Sequence, residues 1–330
     1  MMPETLQKKG GKKTLSVPLP LIDYEDETFR MSFCPDFGAL KTSVKTIGLI
    51  NPIILRGRGE RFQIVSGYRR VMAAQNLGWK EIKAVSYASD ELSQSDGFLL
   101  NFYENLGTRR FNLIEVSMVV TGLSTRCGHD EKQIREEILP LLGFNSGRKI
   151  FHALQSLRQL GQAWKDLVIK NDISLLNAAK ISSLSPSDQS SLYEALSGLK
   201  LGENKLRESL EMAGEVCARD GISFCELFSS EYFKFLQQDE LNLAEKTELF
   251  RRTLKAIRYP EFSRKQKEFH DMRKELFLPP SVGLEPPDSF EGDKLKVTFN
   301  FRSPEEFRFI LEKLEAAADS EVLENLVRML

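Results

Sequence analysis

Apolar positions change their spacing three times along this chain. Between residues 21 and 90, short apolar runs alternate with polar breaks that contain glycine. Leu40–Ile47 has helical spacing and stops at Gly48. Pro52–Arg56 (PIILR) reads as a short buried strand, and Phe62–Val65 (FQIV), beyond the charged GRGER loop, as its antiparallel partner. A helix follows Ser66-Gly67 through RRVMAAQNLG and closes at Gly78, a helix-stop position. Lys83–Tyr87 returns to strand. Alternation of this kind predicts a small α/β unit.

From Asp90 to about residue 278 the spacing becomes helical almost throughout. It shows in Ile134, Ile138, Leu141 and Leu142, in Ile150, Leu154, Leu157 and Leu160, and in Leu206, Leu210 and Ala213. Breaks at Gly128, Gly143 to Gly147, Asn171-Asp172, Ser185-Pro186 and Gly198 cut it into short helices. That punctuation suits a helix-turn-helix region better than a long coiled coil. After the turn-rich LPPSVGLEPPDSFEGD, the segment KLKVTFNF alternates strictly, with Leu295, Val297, Phe299 and Phe301 on one face. Ser303-Pro304-Glu305-Glu306 then opens a helix with an N-cap, Pro at the first position and acids in the first turn. One amphipathic strand and a helix cannot bury four large side chains alone. The strand needs a partner, either Val282–Leu284 or a second copy of the chain.

The expected fold class is α+β, in five segments. Residues 1–20 form a flexible basic arm, 21–115 the α/β domain and 116–220 a helical, helix-turn-helix-like domain. Residues 221–278 are helical and basic toward their end, and 279–330 form a strand-and-helix dimerisation module. With 330 residues, two or three cores are expected. No run of about 18 apolar residues exists to cross a bilayer. The lysines near the start have no apolar stretch behind them, so a secretory signal is not expected. Cys34, Cys127, Cys217 and Cys225 lack disulfide or zinc spacing, and His129, His152 and His270 are scattered, which fits a reducing cytoplasm.

The formal charge of −1 offers no global signature of a nucleic-acid binder. The charges are nevertheless segregated. The arm holds Lys8, Lys9, Lys12 and Lys13 against Glu4; residues 251–277 are net +5, between flanks of −6 (201–250) and −5 (278–330). The basic block is either a solvated face laced with ion pairs or a phosphate-facing surface, and charge alone does not choose.

Three segments carry chemistry: Ile47–Arg56 (IGLINPIILR), Ser66–Ala74 (SGYRRVMAA) and Glu104–Glu115 (ENLGTRRFNLIE). In the second, glycine at a strand-to-helix turn lets backbone N–H groups approach an anion, and the helix N-terminus adds partial positive charge. Two arginines in the first turn supply fork-shaped donors suited to phosphate. The third sets a carboxylate beside a carboxamide, a pair able to hold Mg²⁺ next to a polyphosphate. Asp26 and Asp36 have no spacing that supports a hydrolytic carboxylate pair.

In this order and spacing the three segments resemble the ParB family of partition proteins, closely over residues 35–120 and more loosely to about 215. The resemblance implies an N-terminal domain that binds CTP with Mg²⁺ and hydrolyses it slowly. It marks Gly67, Tyr68, Arg69, Arg70, Glu104, Asn105 and Arg109 as nucleotide-binding. It also marks Glu104 and Asn105 as metal ligands and as the site of any switch hydrolysis. Two departures stand out: Tyr68 replaces a family glutamate, and Thr108 replaces the family arginine, with Arg109 one step later. A sulfiredoxin-like reading needs cysteine where Tyr68 stands.

The same resemblance places a DNA-reading helix-turn-helix around Gly143–Gly147, with Ser146, Arg148, Lys149, His152 and Gln155 facing a groove. Its first helix is longer than the family's, with nine steps from Ile134 to Gly143, and Pro140 interrupts it. Lys165 and Lys170 would lie along the DNA backbone. The implied protein is a cytoplasmic, nucleoid-associated homodimer, off the membrane, that clamps DNA at a centromere-like site under CTP control. A ParA-type ATPase would be its partner, engaged by the Lys8–Lys13 arm. The rivals are a CTP-controlled scaffold or regulator without specific DNA readout, and a ParB-fold nuclease or kinase.

Overall fold

A computed structural model of the chain describes residues 13–33, 37–237 and 241–330. It divides into two compact units, residues 1–193 and 194–330.

The first unit is built on a five-stranded mixed sheet. Its strands are β1 (Leu15–Pro18), β2 (Ile22–Asp23), β3 (Ile53–Arg58), β4 (Arg61–Ser66) and β5 (Glu81–Tyr87), in the order β1-β5-β3-β4-β2. The expected hairpin is present: β3 and β4 pair antiparallel, Leu55 opposite Ile64 and Arg58 opposite Arg61. β3 also runs parallel to β5, Ile53 opposite Ala84, which requires the intervening helix as a crossover. The helices α1 (Gly38–Ile47) and α2 (Tyr68–Asn76) pack together, and α1 ends on Gly48 at φ +76°. Ile22, Ile53, Leu55, Val71 and Ile82 form the core around the sheet.

Residues 15–19 do not belong to the flexible arm expected over residues 1–20. Leu15–Pro18 pairs antiparallel with β5, and Val17 and Leu19 are buried in the sheet core. Two apolar side chains two positions apart are what an edge strand presents to one face. Lys8, Lys9 and Lys12, like Cys34 and Asp36, lie outside the described residues; Lys13 is exposed.

A second core begins on the other side of the sheet and continues past residue 115. The helices α3 (Gln94–Thr108) and α4 (Leu113–Cys127) cross closely at Gly122, where a Cβ would stand 2.0 Å from Phe98 Cζ. Phe98, Phe102, Val119, Val120 and Leu123 share this core with Val65 of β4 and with Ile134, Ile138, Phe151 and Leu154 further along. The boundary expected at 115/116 therefore does not separate two cores. Next come α5 (Glu131–Gln133), a π-helical turn over Ile134–Ile138, α6 (Arg148–Ser156), α7 (Gln162–Ile169), α8 (Leu175–Ser182) and α9 (Pro186–Ser197).

In the second unit α10 (Glu203–Asp220), α11 (Phe224–Ser229) and α12 (Leu243–Arg258) enclose Phe233 and Phe250. The helix α13 (Pro260–Glu275) leads to β6 (Val282–Glu285) and β7 (Lys296–Phe299), followed by α14 (Pro304–Ala318) and α15 (Glu321–Arg328). Of the two partners expected for the alternating strand, the intramolecular one is present: Val282 pairs with Phe299 and Leu284 with Val297. Burial is uneven between the two strands and the helix that follows. Val282 and Leu284 are buried, whereas Val297, Phe301 and Phe309 remain 46%, 52% and 50% exposed.

Candidate functional site

Three joints bring the candidate side chains together. The first is the turn from β4 into α2, where Gly67 has φ +97°. A Cβ there would stand 2.7 Å from Ile53 Cγ2. Both the dihedral and the space demand glycine. No side chain caps α2, so its first N–H groups are left for a ligand or water.

The second joint is the C-terminal half of α3, where Asn101, Glu104 and Asn105 share a face by their spacing. The third is the step into α4. Asn112 Oδ1 accepts from Glu115 N (2.9 Å), and Glu115 Oε2 accepts from Asn112 N (3.1 Å), a reciprocal capping box. The box fixes a carboxylate that is 1% exposed.

A continuous network follows. Arg69 Nη2 donates to Glu115 Oε1 at 3.0 Å, and Arg109 Nη1 donates to Glu115 Oε2 at 2.5 Å. The Phe33 N–H also donates to Glu115. Arg109 Nε reaches Asn105 Oδ1 (2.7 Å), and its Nη2 reaches the Met31 carbonyl (2.8 Å). Asn105 Nδ2 donates to Asn101 Oδ1, and Asn101 Nδ2 to the Phe29 carbonyl. Arg70 donates to the Asn51 and Pro52 carbonyls through Nη1, and to Glu104 Oε1 through Nη2 at 2.7 Å. The Arg30 guanidinium lies 4.7 Å over the Tyr68 ring.

All seven residues expected to bind nucleotide (Gly67, Tyr68, Arg69, Arg70, Glu104, Asn105 and Arg109) line one cavity of about 260 Å³. Thr108, at the family arginine's position, lines it too, but its hydroxyl turns back to the Glu104 carbonyl. Arg109 stands one residue later and still reaches Asn105. On the wall Ser66 Oγ and Arg69 Nε are buried without a hydrogen-bond partner. Burial pushes the Arg109 guanidinium below its usual pKa; Glu115 opposes that shift and Arg69 adds to it. Five guanidiniums, Arg30, Arg58, Arg69, Arg70 and Arg109, stand against four paired carboxylates, Asp26, Glu27, Glu104 and Glu115. Orphaned buried donors and surplus positive charge both call for an anion.

A divalent ion finds less. Glu104 Oε1 accepts from Arg70, and both amide atoms of Asn105 are engaged. Among the described residues no group of three acidic, histidine or cysteine side chains is placed to hold a metal. Mg²⁺ at this site fits only with phosphate and water supplying most of its ligands, as is usual for that ion.

Sequence reasoning missed Glu115, Asn101 and Ser66 as parts of this site. Glu115 closed the third quoted segment, and the spacing Asn112-x-x-Glu115 was the signal that could have exposed it.

The expected DNA-facing residues lie elsewhere, at the start of α6. Ser146, Arg148, Lys149 and His152 are exposed and Gln155 half-buried. Arg148 Nε and Arg135 Nη1 both donate to Glu131 Oε1, at 2.7 and 3.2 Å, and Arg135 Nε donates to the Ser146 carbonyl. Arg148 holds the Glu131 carboxyl below the usual carboxylate range. Pro140, lacking an N–H, follows a π-helical turn in which Leu139 N bonds to the Ile134 carbonyl.

Residues 5–101 match the family model described as the ParB N-terminal domain. A probable chromosome 2-partitioning protein ParB of Deinococcus radiodurans is 24% identical over 59% of this chain and 71% of its own length. A probable chromosome-partitioning protein ParB of Campylobacter jejuni is 30% identical over 49% of this chain and 55% of its own. A nucleoid occlusion protein of Geobacillus kaustophilus is 35% identical over 26% and 29%. The chain thus spans only part of the length of these relatives. Among solved structures, the C-terminally truncated ParB of Caulobacter crescentus complexed to its centromeric parS site is 20% identical. It covers 60% of this chain and 97% of its own, with a TM-score of 0.32. The same protein complexed with CTP-gamma-S gives 20% identity, coverage of 52% and 93%, and a TM-score of 0.27.

Proposed function

Since the chain belongs to the ParB family, we propose that it is a CTP-dependent DNA-binding partition protein. In that role the cavity at Gly67 takes the triphosphate, and α6 faces DNA. The observation that carries the nucleotide reading is the pair of buried, unpartnered donors, Ser66 Oγ and Arg69 Nε, on a cavity wall that four arginines also reach.

Arg69 and Arg109 are held by Glu115 and offer donors to an incoming phosphate. Arg70 is positioned by two backbone carbonyls and Glu104, so a phosphate oxygen competes with the Glu104 carboxylate for it. Mg²⁺, when bound with the triphosphate, supplies charge neutralisation of the phosphate oxygens. Glu104 and Asn105 are the residues that would hold it and shape any slow hydrolysis. CTP must bind the DNA-clamping state better than the open state to drive closure.

DNA at a centromere-like site is the first partner. A second copy of the chain, docked through the exposed apolar face at Val297, Phe301 and Phe309, is the second. A ParA-type ATPase, met by the Lys8–Lys13 arm, is the third. With these partners the protein works in the cytoplasm on the nucleoid. Among the described residues no helix is long and apolar enough to cross a membrane.

A gel-shift series on genomic fragments, with and without CTP and over a range of salt, tests this role. One fragment class retained at salt that strips the rest supports it. Sequence-blind binding that vanishes with salt would instead favour a regulator without specific readout. The Glu131 clamp on Arg148 is the observation on that side.

A further inference from the structure

A second cavity, of about 540 Å³, opens in residues 1–193 beside the first. Segment 27–33, one face of α4, and the residues Arg158 and Lys165 wall it. Four cations line it, Arg30, Arg126, Arg158 and Lys165, against a single carboxylate, Glu27. Glu27 is paired with Arg30 at 3.1 Å. Among the described residues Arg126, Arg158 and Lys165 make no ion pair. Two of these cations rest on aromatic faces: Arg126 lies 5.4 Å from the Phe98 ring centre and Lys165 Nζ 5.8 Å from that of Phe33. Burial, followed by the like charge of Arg158, pushes the Lys165 ammonium below its usual pKa.

The helix facing these cations is polar where a packing helix would be apolar. Ser117, Thr121 and Thr125 follow one another at four-residue spacing, which aligns three hydroxyls along one face of α4. Ser117 is 2% exposed, and Thr121 Oγ1 is buried without a hydrogen-bond partner. Gathering three unpaired cations here costs the fold repulsion, and the part-buried Lys165 ammonium and the orphaned Thr121 hydroxyl add desolvation. A bound polyanion removes both costs. The volume lies within the range of ordinary small-molecule sites, about 300–1,000 Å³.

We propose that this cavity is a second anion site, which takes a small soluble phosphate compound of the pyrophosphate class. Arg126, Arg158 and Lys165 supply charge, and Thr121 supplies a hydroxyl donor. It is separate from the Gly67 cavity and shares only Arg30 with it.

The test is acylation of Lys165 in the full chain by an N-hydroxysuccinimide ester, read by mass spectrometry with and without sodium pyrophosphate. The expected result is at least fivefold protection of Lys165, retained in Arg70→Ala and lost in the double variant Arg126→Ala/Arg158→Ala. Arg126 and Arg158 are exposed, so that variant keeps its core. Unchanged labelling of Lys165 overturns the proposal. So does protection that disappears in Arg70→Ala yet survives in the double variant, because pyrophosphate would then act through the first cavity. Protection by a short DNA duplex and not by pyrophosphate also overturns it.

Discussion

Glu115 holds two arginines from a position with almost no access to water, and that makes it the most sensitive residue of the site. Removing one partner of a buried ion pair typically costs about 3–5 kcal/mol, because the other charge is left uncompensated. Glu115→Ala should therefore lower the thermal midpoint by many degrees, whereas Arg30→Ala, at a half-exposed pair, should shift it little. Differential scanning calorimetry of both variants checks this. Asp26 makes a separate prediction about pH. Burial alone would raise its pKa, but hydrogen bonds from Gln63 and Thr28, with Arg58, hold it below the ordinary 3.8. A depressed carboxylate contributes stability that is present above the unfolded value and lost as pH falls through the folded one. In acid titrations the wild type should thus lose more stability below pH 3.8 than Asp26→Asn does, as followed by circular dichroism. At this scale the cluster proposed to face phosphate was legible as a cluster, and its members line one cavity, because glycine before two arginines has a plain chemical meaning. Glu115 was not assigned, since its role depends on a capping box that folds it back toward residues far away in sequence.

Among the elements, punctuation was readable and irregularity was not. Gly48 and Gly78 mark stops in the sequence, and both adopt positive φ in the structure. The strand Leu15–Pro18 was hidden behind a lysine-rich stretch because its apolar signal is only Leu15 and Val17, of which Leu15 is exposed. The π-helical turn before Pro140 was foreshadowed by the proline, but the shift of the hydrogen bond to Ile134 was not. In the proposed role this turn and the Glu131 clamp set how α6 would meet DNA. If α6 lies on the backbone, Arg148→Ala/Lys149→Ala should flatten the salt dependence of binding by ~0.9 in log–log slope for each phosphate left without its cation. Fluorescence anisotropy over a salt series reads that slope. An unchanged slope would remove α6 from the interface.

Across the whole molecule, a formal charge near zero hides basic and acidic blocks and a local excess of arginine at one cavity. The two-unit division places the alternating strand in a unit whose sheet has only two strands. Val297 of that sheet, Phe301 just beyond it and Phe309 of α14 are half exposed. A charge placed there should disrupt a dimer and leave the monomer folded. Phe301→Glu/Phe309→Glu is therefore expected to sediment as a monomer where the wild type sediments as a dimer, with unchanged helical circular dichroism. The alternation was visible in the sequence, but how much of that face its own chain would cover was a matter of packing.

The nucleotide reading of the Gly67 cavity underlies the rest, and isothermal calorimetry of the full chain with CTP, ATP and GTP in the presence of Mg²⁺ tests it most directly. CTP should bind and be preferred, with affinity at least tenfold weaker in Arg70→Ala. Absence of heat with all three nucleotides, or equal CTP affinity in wild type and Arg70→Ala, would contradict it.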